Sequence, residues 1–169
     1  YGEVSAPPAL NPFNNEGRFW QTSLRWDREL CDRGCYKHGI RAGFDFKNTN
    51  TTLDFGGAFV FGSEIDVVQF MLGYHGHQDT NWGSYHFSAD AFYSPGNLTP
   101  RNNGAAFQQL NAGANPKYGY IRSMLETRHD LSCCWELATR LTGQLSSTNL
   151  MPPETLGFGG FNSIRGYDQ

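Results

Sequence analysis

The chain has 169 residues, with 13 Lys plus Arg against 16 Asp plus Glu, for a net charge of −3. That balance argues against a nucleic-acid binder, whose phosphate contacts need a basic excess, and the length suits one domain rather than two. Aromatic residues are 15% and charged residues only 17%, yet mean hydropathy is −0.53. No run approaches the ~18–20 apolar residues of a transmembrane helix, which leaves a soluble β-sandwich or a transmembrane β-barrel.

Taken in chain order, the apolar residues keep a period of two, the signature of strands with two unlike faces. Trp20, Thr22, Leu24 and Trp26 alternate with Gln21, Ser23, Arg25 and Asp27. Ile40, Ala42, Phe44 and Phe46 oppose Arg41, Gly43, Asp45 and Lys47, and Val68, Phe70, Leu72 and Tyr74 oppose Val67, Gln69, Met71 and Gly73. Three more segments follow the same rule, through Tyr85–Tyr93, Ile121–Thr127 and Trp135–Gly143. The spacing predicts strands near 18–30, 38–48, 65–75, 83–94, 118–129 and 132–145. Each is about ten residues long, the length that crosses a bilayer when tilted; ordinary globular strands are shorter.

The connections alternate in length. Short ones fall at Cys31–Lys37, His75–Trp82 and His129–Leu131, and long ones at Asn48–Glu64, Ser94–Lys117 and from Ser146 onward. The long ones hold turn formers, such as Asn48 to Asn50 and Asn102-Asn103-Gly104. Short turns on one side and long loops on the other are the habit of outer-membrane barrels, whose apolar face meets lipid and whose polar face lines the lumen. The expected fold class is therefore all-β, an antiparallel transmembrane β-barrel segment. Its lipid face would carry Trp20, Trp26, Phe44, Phe46, Tyr74, Tyr85, Tyr93 and Trp135. The lumen would be lined by Arg25, Arg41, Asp45, Asp90, Arg122, Glu126, Arg128, Glu136 and Arg140. No nucleophile–base–acid spacing stands out, so an enzyme is not expected, and no cofactor is implied. The five histidines, His75-x-His77 among them, read as solvated turn residues, and the cysteine spacings lack a C-x₂-C pair, so no metal site is expected.

After the last strand come Glu154, then Gly157-Phe158-Gly159-Gly160, then Ser163-Ile164-Arg165-Gly166-Tyr167. No Lys-Ser/Thr follows the glycines, so they are not a phosphate loop. On composition this is a Gly-rich surface loop. The segment also resembles the motif of the haemolysin secretion/activation (ShlB/FhaC/HecB) family of two-partner secretion transporters, within the outer-membrane protein 85 superfamily. Glu154, Gly159, Gly160, Ser163, Ile164, Arg165, Gly166 and Tyr167 stand at matching positions, with Ile164 where Val is usual. Upstream, Gly43–Lys47, Leu53–Gly57, Gln69–Tyr74 and Ser94–Asn97 look like family segments in the expected order, so the resemblance covers most of the chain.

The resemblance implies a bacterial outer-membrane pore that secretes a large partner polypeptide of the haemolysin or adhesin type. The chain would be part of the C-terminal barrel domain over 1–169, contributing about six strands of a barrel of about sixteen. Residues 146–169 would form a loop folding into the lumen, where Arg165 would latch to a carboxylate beyond Gln169. The opening at Tyr1 and the stop after a Gly-rich stretch read as an excerpt, with periplasmic transport-associated domains before it. Its partners would be the secreted polypeptide and outer-membrane lipid, with no nucleic acid, and the barrel would be monomeric. On this topology all four cysteines lie near the periplasmic rim, an oxidising compartment, and Cys31 and Cys35 flank a turn that a disulfide between them would staple. The alternative functions are a membrane-protein insertase of the same superfamily or a soluble carbohydrate-binding β-sandwich.

Overall fold

The computed structural model describes residues 2–5, 13–55, 58–132 and 134–157. Seven strands form one antiparallel sheet in chain order: β1 (Gly2–Ser5), β2 (Phe13–Glu29), β3 (Tyr36–Phe55), β4 (Ala58–Thr80), β5 (Gly83–Pro95), β6 (Lys117–Ser132) and β7 (Trp135–Ser146). Each strand pairs with its successor and no connection crosses over, as in an up-and-down barrel wall. One short helix, α1 (Gly104–Leu110), interrupts the β5–β6 connection. Among the described residues no helix is long and apolar enough to cross a membrane.

The strands are longer than their alternation alone suggests. The stretch 48–64, expected as a long loop, is instead the continuation of β3 and β4. Asn48, Thr49 and Asn50 pair with Asp66, Ile65 and Glu64 on one side and with Trp20, Phe19 and Arg18 on the other. Asn favours turns, but a ladder on both sides pairs the backbone groups of the segment and overrides that preference. Thr49 and Thr52 also suit a pleated surface. For the same reason the expected turn from His75 to Trp82 shrinks to Asn81 and Trp82, with His75 and His77 on β4.

One face of the sheet is apolar and bare. Leu24, Leu72, Trp135 and Leu141 are between 64% and 73% exposed, far above what a soluble sheet leaves uncovered. Aromatic rings gather toward the short-turn end of that face: the Tyr36 hydroxyl lies 2.8 Å from that of Tyr74, and Trp82 stacks on His129. Trp20 and Phe46 meet nearer the other end.

The other face is polar but partly covered. Ile65 and Val67 of β4 and Tyr118 and Tyr120 of β6 are buried under Phe107 of α1, Ala114, Leu150 and Met151. Asn103 caps α1 by accepting the Ala106 N–H. Its neighbour Asn102, fully buried, donates its side-chain amide to the Asp66 carbonyl at 2.8 Å. β5 reaches β4 only from Phe70 onward, so the loop around Arg101 and Asn102 takes the place of a strand along the β4 edge at Asp66.

Cys31 and Cys35 are both exposed, with free thiols in this structure. The β2–β3 turn between them is closed by backbone bonds. Leu30 N–H donates to the His38 carbonyl at 2.8 Å, Arg33 and Tyr36 exchange bonds of 3.0 and 3.2 Å, and Gly34 supplies the positive φ of 65°.

Candidate functional site

The segment after β7 leaves the sheet and turns back across its polar face. Pro152 and Pro153 open a single 3₁₀ turn, Pro152–Glu154, which their fixed φ favours, and the Glu154 N–H closes it onto the Met151 carbonyl at 2.8 Å. Asn111 donates to the Leu150 carbonyl at 2.8 Å and Asn149 to the Ala112 carbonyl at 3.1 Å. These bonds tie the segment to the loop that carries α1.

The turn aims Glu154 into the wall, where it is 1% exposed. Lys47 of β3 donates to its Oε1 at 2.5 Å, and Tyr120 of β6 and Gln69 of β4 donate to Oε2 at 2.6 and 3.3 Å. Its backbone carbonyl accepts from Arg122 of β6 at 3.3 Å and from Gln144 of β7 at 2.7 Å. Four strands thus converge on one residue of the loop. A buried carboxylate persists only when paired and hydrogen-bonded in this way.

Gln69, with no exposed surface, joins this centre to a second one. Its amide nitrogen also donates to Asp45 Oδ2 at 3.1 Å, and its oxygen accepts from the Tyr118 hydroxyl at 3.0 Å. Asp45 in turn accepts from Ser23 at 2.7 Å and from Arg25 at 2.6 Å. Arg25 reaches it by lying across Gly43, where a Cβ would come within 2.7 Å of the guanidinium. The result is a continuous polar network from β2 to β6 and the loop, with both faces of the Gln69 amide used.

The nine charges expected on one face do share it, and each finds a partner there. Besides Arg25–Asp45 and Arg122 on the Glu154 carbonyl, Arg41 pairs with Asp90 at 2.9 Å, Arg140 with Glu126, and Arg128 with Glu136 at 3.8 Å. Of the loop motif, Glu154 is the member within the described residues; Gly159, Gly160, Ile164, Arg165, Gly166 and Tyr167 lie outside them. Sequence reasoning missed Lys47, Gln69 and Tyr120 as partners of Glu154, and Tyr118 as a partner of Gln69. Their alternation put Lys47, Gln69 and Tyr120 on the right face, but no local signal reports contacts made 107, 85 and 34 residues apart.

Comparison with known proteins gives one family. The model described as "Haemolysin secretion/activation protein ShlB/FhaC/HecB" matches residues 5–169. No curated protein and no solved structure matches the chain.

Proposed function

Because the chain belongs to the haemolysin secretion/activation family ShlB/FhaC/HecB, the outer-membrane transporters of two-partner secretion, we propose that it forms part of the wall of a pore conducting one large, unfolded partner polypeptide. The fold is accordingly a segment of an antiparallel transmembrane β-barrel. Its bare apolar face would meet outer-membrane lipid and its polar face the water-filled lumen. The barrel would act as a monomer. Conduction needs no chemistry from the wall: opposite charges paired across strands keep the lumen hydrated without one sign dominating, so an apolar or charged stretch of the passing chain finds no strong trap.

The observation that carries the reading is Glu154, a loop residue buried on the polar face by donors from β3, β4 and β6. It would hold the root of the loop inside the lumen, and the motif around Arg165 further along would serve as a second latch on a carboxylate elsewhere in the barrel. Loop position would then decide whether the pore passes its partner. The test is partner secretion by the intact transporter carrying Glu154→Gln, which keeps size but loses the charge that Lys47 neutralises. Secretion is expected to fall at least about tenfold, the effect of about 1.4 kcal/mol on the conducting arrangement, with the barrel still inserted and heat-modifiable. Unchanged secretion from a normally inserted barrel would remove the role.

A further inference from the structure

The turn-side rim of the polar face holds a group of residues that the secretion reading does not use. Glu29, Gly39 and His75 stand in one row across β2, β3 and β4. Gly39 has no side chain, so the imidazole lies over it; a Cβ there would come within 2.7 Å of His75 Cε1 and Nε2. His75 Nε2 thereby reaches across the middle strand to Glu29 Oε1 at 3.3 Å. Asp27, two residues along the same face of β2, completes the group, and the three ligand atoms lie within 4.8 Å of one another.

Two further features of the described residues bear on what this group could hold. Arg41 stands directly opposite Asp27 in the β2–β3 ladder but is turned the other way, over Gly73, to Asp90 at 2.9 Å. Among the described residues that leaves two neighbouring carboxylates with no Lys or Arg in contact. The second nitrogen of His75, Nδ1, is buried with no hydrogen-bond partner among the described residues, so the ring is held only through Nε2, whose proton faces Glu29 and would give way to a bound ion.

We propose that Asp27, Glu29 and His75 form a binding site for a divalent transition-metal ion of the zinc type. One imidazole nitrogen with two carboxylate oxygens suits zinc, whereas calcium and magnesium take oxygen alone. Ligand atoms about 2.0–2.1 Å from a tetrahedral zinc are about 3.3–3.4 Å apart, and the Glu29–His75 separation of 3.3 Å already meets that spacing. A small rotation of the exposed Asp27 side chain brings the third ligand in. The fourth position faces the open side of the wall and would take water. An ion held there ties β2 to β4 across β3.

The experiment uses the intact transporter, purified in detergent through a tag without histidines, stripped with a chelator and titrated with zinc chloride by calorimetry. A single saturable zinc site per chain is expected, with calcium chloride giving none. His75→Gln and Glu29→Gln should each weaken zinc binding at least about tenfold, with heat-modifiability confirming the folded barrel. His77→Gln, whose ring on the same strand is bonded to Asp79 at 3.1 Å, should bind as the parent does. Should His75→Gln fail to insert, Asp27→Asn, on an exposed side chain, gives the same reading. No saturable zinc binding by the parent, equal calcium binding, parental affinity in the Glu29 and His75 variants, or a loss that follows His77 instead would each overturn the site.

Discussion

The loop side and the turn side of the polar face use similar residues under opposite conditions. On the loop side, Ile65, Gln69, Tyr118 and Tyr120 are sealed beneath α1 and the segment around Glu154. On the turn side, Arg128 and Glu136 pair with most of their side-chain surface in water, 70% and 51% exposed. A charge on the first side is held by several donors at fixed distances, and one on the second by a single flexible neighbour. Electrostatics therefore differs in consequence: removing a buried partner strands a charge, while removing an exposed one lets water replace it. The loop side is built to hold a position, and the turn side to stay wet.

The sharpest way to break that contrast is to empty the loop side. Phe107→Ala removes a ring with no exposed surface from between α1 and β4 and should cost about 3–5 kcal/mol of the folded barrel's stability. Urea unfolding in lipid vesicles measures it, and a cost below 1 kcal/mol would mean that α1 is not packed on the wall. Gly73→Val gives an intermediate effect. Its side chain would occupy the space where Arg41 crosses to Asp90, for an expected loss of about 1–3 kcal/mol in the same unfolding assay. Arg128→Ala, on the turn side, should change stability by less than about 1 kcal/mol. A larger loss there would erase the distinction between the two sides.

Much of the wall was legible in the residues themselves. Alternation assigned Trp20, Leu24, Phe44, Phe70 and Trp135 to one face and all nine paired charges to the other, because a strand has only two sides and each fills with one kind of residue. The extent of β3 and β4 was not legible. Asn48, Asn50 and the glycines at 56 and 57 carry turn chemistry, and only pairing with partners on both neighbouring strands reveals that the ladder overrides it at 48–50. His75 and His77 were misassigned for the same reason: a stretch rich in Gly, His and Asp looks like a turn until its register with Gly39 and Lys37 is known. The candidate site was legible in part. Glu154 stood out through its place in the motif, but its partners come from strands far away in the chain, and convergence of that kind is a property of the sheet rather than of any segment.

The most direct test of a loop held onto the wall is a double-mutant cycle on Lys47 and Glu154. The variants Lys47→Met, Glu154→Gln and the pair are unfolded in urea from lipid vesicles, and the coupling between the two changes is read from the three stability losses. The Lys47–Glu154 contact of 2.5 Å, with the carboxylate 1% exposed, predicts a coupling of about 1.5–3 kcal/mol, the range of a hydrogen bond to a charged group. Losses that add to within about 0.5 kcal/mol would contradict it, leaving Glu154 a residue that lies near the wall without being held by it.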